Sequence, residues 1–532
     1  CAANGNGSMY FAASSDAAEA KWLVTKTSDG YVFQSAAHQT YMTSDAGLSS
    51  NAENISISDL NASVTDYSVK YDLSALNALD SLNGIQVISR LHTLGLSRSD
   101  LMNPEANMTS LNTNIQSALS GLPTQTVQYT GTDVDDLNQF LQNNTGKIVQ
   151  LTQDIQVYKN TNGSFGIIMV PSDTILDGNG HRLVMKAGYT EAPDVGVVLY
   201  VYKDGVIPST NCGVKNLSTD IPYVNSINVF SADNILIENN TLNNATKSGI
   251  MISDEYGSTV NGIIRGNTIN NVGDDAIAVY GNHSNLLIDS NRISGAKGFA
   301  GIAISCLQNG QQIRVDNETT GPHDIIVTGN VVSGCSGEAL YCIGSYKTYI
   351  TYNTLRDSIL EGVCLDSGCI GNYFAHNEVV NNGIAGGLPG VSIDNGIYNI
   401  VDSNNVYNNS CSGIKLVRTG LGNIIVNNIC TDNAYNQMGA KSSGIDIEPL
   451  AVETENLGYI DGLGSNWNVV LNNTVTGSHD FGVFIADDDT ANNGGSSCEN
   501  VIMYNKFSSA YTFGAADFSS MSSTVKNNIT LN

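Results

Sequence analysis

A chain of 532 residues is too long for one ordinary compact domain, so it holds two or three domains or one elongated repeat. An apolar fraction of 41% supplies a sizeable core and argues against wholesale disorder. With 50 acidic residues against 23 basic ones the net charge is -27, which argues against nucleic acid or an anionic membrane as partner. A neutral glycan fits that charge, and a polyanion fits it only through a bridging cation.

The chain opens on Cys1 and the polar stretch AANGNGS. A mature bacterial lipoprotein starts this way, so membrane attachment is expected only through a lipid on Cys1, if that residue is lipidated. No apolar run approaches the roughly 20 residues of a membrane span. Residues 1–125 mix Ser/Asn/Ala-rich segments with helix-like stretches such as LSALNALDSLNGIQVISRLHTLG and carry no repeat. They read as an accessory region, with LPTQ at Leu122 to Gln125 as its boundary.

From about Asp173 one pattern recurs: a short apolar strand, Asn, any residue, an apolar residue, a polar turn, then Gly-apolar-x-apolar. ILIENNTLNNATKSGIMIS, IIRGNTINNVGDDAIAV and VVLNNTVTGSHDFGVFI are three copies. The marker asparagines are Asn240, Asn267, Asn291, Asn330, Asn353, Asn377, Asn404, Asn427, Asn473 and Asn505, mostly 23 to 27 residues apart. Such a period marks a solenoid, because no single copy buries its own apolar face. Short strands without helical periodicity make each copy a coil of a parallel β-helix. Asparagines stacked at one turn are expected to form a hydrogen-bonded ladder and to support a left-handed bend.

TDVDDLNQFLQNNTGKIVQLTQDI resembles a capping helix and first strand, and PSDTILDGNGHRLVM a first coil, of the right-handed parallel β-helix superfamily of pectin-active enzymes, alginate epimerases and related carbohydrate-active proteins. The resemblance runs from roughly Val127 to Asn532. It implies an all-β fold, a right-handed parallel β-helix solenoid over 126–532 with a mixed N-terminal extension. The superfamily hosts hydrolases, lyases, epimerases, tailspikes and adhesins, so function has to come from the site.

Alternate residues of a strand share a face. Aligning the coils on Gly249, Ala276, Gly301, Ala339, Gly362, Gly390, Gly413, Gly444 and Gly482 gives three outward columns. The one before the anchor holds Asp275, Glu338 and Glu361. The one two after it holds Tyr341, Lys415 and Asp446. The one four after it holds Tyr280, Asp366, Asp394 and Glu448. With Arg418 beside them, these residues make one acidic face. A glycosidase needs one carboxyl kept protonated and one carboxylate as base or nucleophile, and stacked like charges such as Glu338 and Glu361 push their pKa values apart. Glu338, Glu361 and Asp366 are therefore catalytic candidates. Tyr280, Tyr341, Asp394, Lys415, Arg418, Asp446 and Glu448 are substrate-binding candidates. A solvated acidic face is the alternative.

GDDAIAV resembles the G-x-D-D strand motif of the polygalacturonase and rhamnogalacturonase family. The resemblance implies three catalytic aspartates on two adjacent coils, here Asp254, Asp274 and Asp275. The family's Asn-Thr-Asp, Gly-His-Gly and Arg-Ile-Lys elements are absent, His283 comes too early for the expected coil, and a solvated turn is the other reading of the pair. A lyase would need a cation beside a uronate, and Lys415 and Arg418 are the basic spot on the face. His323, in GPHDI, lacks the preceding Asp of an epimerase signature and reads as a turn residue.

No cofactor is required, although the run Asp487 to Asp489 and the insertion EPLAVETE offer oxygen ligands for Ca²⁺. The insertion from Glu448 to Asn466, with Tyr459 and Trp467 near it, could wall a groove. The cysteines show no CxxC pair, so zinc is not expected. Cys342/Cys364 and Cys306/Cys335, about one coil apart, are either disulfides or small buried hydrophobes. The expectation is an exported carbohydrate-active enzyme, extracellular or at the cell surface, a glycoside hydrolase first and a polysaccharide lyase second. A non-enzymatic adhesin, tailspike-like binder or filament subunit is the rival class, and a homo-oligomer is left open.

Overall fold

The structure, a computed structural model, describes short strands between Ala2 and Ser49, and residues 103–531 except 160–165, 203–204, 309–310, 313–320, 435–442, 450–463, 478, 487–496, 498–499, 509–512, 520–522 and 527. Two compact units result, Cys1–Asn107 and Met108–Asn532. The first contains an antiparallel sheet of Trp22–Lys26, Tyr31–Ser35, Tyr41–Met42 and Leu48–Ser49. Cys1, Cys498 and the helix-like stretch at 73–95 lie outside the described residues. Among the described residues no helix is long and apolar enough to cross a membrane.

The second unit is a three-sided solenoid. Its described strands form three long sheets of 13, 15 and 14 strands, and each coil adds one strand to each. All neighbours in these sheets run parallel, as a chain returning by whole turns requires. Inward positions stack like on like: Ile250, Ile277, Ile302, Leu340 and Val363 are level with one another and buried. The helix Val134–Asn143 closes the N-terminal end. Asp133 caps it by accepting the Asp135 N–H at 2.9 Å, and Val134, Leu137 and Leu141 face the core.

The expected asparagine ladder is present and buried, and it is not alone among the described residues. The long one runs Asn240, Asn267, Asn291, Asn330, Asn353, Asn377, Asn404, Asn428, Asn473, Asn505 and Asn528. Each side-chain oxygen accepts both the backbone N–H and the side-chain amide of the asparagine one coil earlier, as at Asn353, which takes both bonds from Asn330 at 2.9 Å. Asn427, expected in this ladder, is not a member. It sits one residue earlier in the left-handed region with φ 57, and Asn428 makes the buried bonds. Tyr352 and His376 occupy the equivalent left-handed position in other coils. Two further ladders, Asn372–Asn399–Asn423–Asn468–Asn500 and Asn382–Asn409–Asn433, line the other corners. His479 ends the last of these by accepting the Asn433 N–H at 3.1 Å on Nε2.

The eight described cysteines are free thiols, and all but Cys411 are buried. Cys342 is level with Leu365 on the inward side, whereas Cys364 is level with Tyr341 on the outward side, so strand alternation keeps that pair apart. Cys335 belongs to the main core and Cys306 to a separate small cluster with Ile343.

Candidate active site

The 13-stranded sheet carries the acidic face. Two of the three expected columns stand in register. Tyr341, Cys364, Ser392, Lys415 and Asp446 are level on successive coils. Ser253, Tyr280, Ser305, Ile343 and Asp366 form the second row, and Asp394, Val417 and Glu448 continue it.

The third column departs from expectation. Its residues sit at the corner before the strand, where the bend tucks the side chain under the next coil. Ser248, Asp275, Glu338 and Ser412 are buried. Asp275 Oδ1 accepts the N–H of Ala300 at 2.9 Å, the part that Asn225 plays for Ser248 two coils earlier at 3.1 Å. Its Oδ2 accepts the Tyr280 hydroxyl. Burial pushes the Asp275 carboxyl up to about 7, against the pull of those hydrogen bonds. Asp275 is thus a backbone anchor rather than an exposed acid.

Nor do Asp254, Asp274 and Asp275 converge. Ser253 pairs with Tyr280, so Asp254 lies level with Gly281, and it accepts the Asn282 N–H at 3.0 Å. Asp274 and Asp275 stand at the other end of the strand, about six residues or 20 Å away. Asp274 is half-buried beside the corner. His283 is buried: Nδ1 accepts the Thr259 N–H and Nε2 faces the Tyr280 carbonyl, both at 2.9 Å. Burial pushes its pKa down to about 4, so it stays neutral. His323 opens the strand His323–Thr328, with Nδ1 3.0 Å from the Gly321 carbonyl.

On three successive coils of the same face stand two pairs, Glu338 beside Glu361 at the corner before the strand and Asp366 beside Asp394 five residues further along it. Asp366 is held by three donors. Tyr341, whose ring meets Phe299 edge-on at 4.8 Å, gives its hydroxyl to Oδ2 at 2.6 Å. The Ser367 N–H and hydroxyl bind Oδ1 at 2.6 and 2.8 Å. One buried oxygen of Glu338 and one of Asp394 have no hydrogen-bond partner among the described residues. Burial, then the neighbouring Glu338 and Asp394, push Glu361 up to about 7. Glu338 is pushed up by burial and by Asp366. Burial and Asp366 also raise Asp394, with Arg418 opposing from 2.9 Å.

Both cations of the face are already paired. Arg418 holds Asp394, and Lys415 Nζ lies 2.8 Å from Glu448 and 3.8 Å from Asp446. Asp446 is buried, takes the Ser412 hydroxyl at 3.3 Å and is pushed up by burial. The run Asp487 to Asp489 and Tyr459 lie outside the described residues. Among the described residues no three His, Cys, Asp or Glu side chains are grouped to hold a metal ion.

Sequence reading also passed over a row of rings on the same face. Tyr200 and Phe230 stack with centroids 5.1 Å apart, and Tyr256 joins Phe230 at 5.6 Å. Tyr200 opens a hairpin of Tyr200–Tyr202 and Val206–Pro208 that follows directly on a strand of the sheet. An insertion that starts on an aromatic residue was the available signal.

The family model described as right handed beta helix region matches residues 199–320. No curated protein matches the sequence. The A-module of mannuronan C-5 epimerase AlgE6 of Azotobacter vinelandii is similar at 14% identity, over 76% of this chain and 100% of that one, with a TM-score of 0.48. A tailspike protein mutant of E. coli bacteriophage HK620, in complex with a hexasaccharide, is similar at 14% identity over 72% and 73%, with a TM-score of 0.46. PfbA, a surface adhesin of Streptococcus pneumoniae, is similar at 11% identity over 73% and 91%, with a TM-score of 0.39. The three long parallel sheets make Met108–Asn532 a parallel β-helix, and residues 199–320 within it match the right-handed form.

Proposed function

We propose that the chain acts on a glycan as a glycoside hydrolase at an extracellular or cell-surface location, with its chemistry in the group Glu338, Glu361, Asp366 and Asp394. One observation carries this reading: three coils about 4.8 Å apart carry four carboxyl groups on one face, two before the strand and two at its end, in two different environments. Glu361 keeps its proton near neutrality and suits the acid that protonates the departing glycosidic oxygen. Asp366 accepts three hydrogen bonds and suits the base or nucleophile. Arg418 and Lys415 are tied up by Asp394 and Glu448, which disfavours a lyase, where a free cation has to meet the uronate.

Glu361→Gln and Asp366→Asn, assayed for released reducing ends on a panel of neutral and acidic glycans, should each lower turnover by about a hundredfold or more. Wild-type turnover in both variants would sink this site. A second reading, binding without turnover, is favoured by the already satisfied partners of Asp366. It predicts retention on a glycan matrix with no product from the unaltered chain.

A further inference from the structure

The rings of Tyr200, Phe230 and Tyr256 lie outside the solenoid core, and Tyr256 is 50% exposed. Tyr200 and Phe230 are half-buried against one another, and the exposed Tyr256 ring extends them into an apolar patch that faces solvent. Their position relative to the carboxyl group is fixed by register. Phe230 is level with Ser253, then Tyr280, Ser305, Ile343 and Asp366, five pairings in one row. Five coils make about 24 Å, the length of about five pyranose units. The rings offer flat apolar faces, and Tyr200 and Tyr256 add hydroxyls, which is the surface that the C–H face of a sugar covers. Glu255, next to Tyr256 and exposed, makes an anionic chain the poorer ligand there.

We propose that Tyr200, Phe230 and Tyr256 form a remote subsite for the glycan that reaches Asp366. This rests on the glycan reading of the face. A ligand that occupies both places spans at least four coils, so the favoured substrate is a polymer and not a short oligosaccharide. The hairpin at Tyr200 serves to present the outermost ring.

The test uses the full chain and native gels containing dextran, xylan, soluble β-glucan or polygalacturonate. The unaltered chain and Asp366→Asn should both be retarded by at least one of these glycans. Tyr256→Ala and Phe230→Ala should each weaken that retardation about tenfold, and Tyr256→Phe should keep it, since the ring and not the hydroxyl carries the contact. Tyr256→Ala should also raise the KM for the polymer more than for its trimer. Retardation that depends on Tyr256 without any product upholds the subsite while refuting the hydrolase. Turnover with polymer KM and retardation unmoved by Tyr256→Ala and Phe230→Ala overturns the subsite and spares the hydrolase. Absence of retardation of the unaltered chain by every glycan overturns the subsite as well.

Discussion

Tyr341 on one coil gives its hydroxyl to Asp366 on the next, 2.6 Å away, while its ring rests edge-on against Phe299. Tyr341→Phe separates those two roles, since it keeps the ring and removes one of three donors to Asp366. We expect a loss of about 1–2 kcal/mol in urea unfolding, because the acceptor stays half-buried with less to bind. Turnover should fall with it, and wild-type stability in this variant would show that the bond is idle.

Asn427 and Asn428 make a paired test of the ladder. Asn428 Nδ2 donates to the Val401 carbonyl at 2.9 Å and to Asn473 at 3.0 Å, all of it buried. Asn428→Ala orphans several buried groups and should cost about 3 kcal/mol or more. Asn427→Gly places glycine where φ is 57 and should cost under about 1 kcal/mol. Thermal melts of the two variants compare them directly, and equal losses would contradict the assignment.

His479 should make stability depend on pH. Burial holds its folded pKa near 4, below the ordinary value of 6.5. The unfolded chain therefore binds the extra proton between these values, so the stabilisation is complete above about 6.5 and is lost as pH falls towards 4. His479→Asn extends the third ladder with a group that does not titrate. Its stability should vary less with pH than wild type over that window, measured by denaturant melts at stepped pH.

Glu361 predicts the alkaline limb of activity. With its carboxyl pushed up to about 7, the proton donor is lost as pH rises through that value, so the rate should fall above neutrality. In Glu361→Gln the residual rate should lack this limb. A wild-type rate still climbing at pH 9 would remove Glu361 from the acid role.

Thiol reactivity offers a simple check on the fold. Of the eight described cysteines only Cys411 is not buried. Burial pushes the Cys335, Cys369 and Cys430 thiols up to about 12. Peptide mapping after iodoacetamide on the native chain should find Cys411 labelled and these three untouched until the protein is unfolded.

The period and the alternation were legible in the sequence because a solenoid repeats the same local rule. They predicted the rows from Tyr341 to Asp446 and from Ser253 to Asp366 residue by residue. Corners were less legible. Alternation holds along a strand but not through the bend before it, so Asp275 was assigned to solvent and is in fact a buried anchor. Twin asparagines at Asn427 and Asn428 hid which one turns and which one stacks. The rings at Tyr200, Phe230 and Tyr256 come from different coils, and only register brings them together.

The long ladder joins Asn267 to Asn291 across 24 residues, Asn291 to Asn330 across 39, and Asn428 to Asn473 across 45, with the same bonds each time. Height along the axis is thus metered by coils and is indifferent to how much chain a coil contains. Extra sequence follows the strands that end at Ser305 and Glu448, and more of it falls between Asn433 and Ser443, before the second of them. The ends of the strands that carry the acidic face are permissive places for sequence. Loops there can be lengthened, trimmed or exchanged to retune what the face receives, while the stack beneath them keeps its pitch.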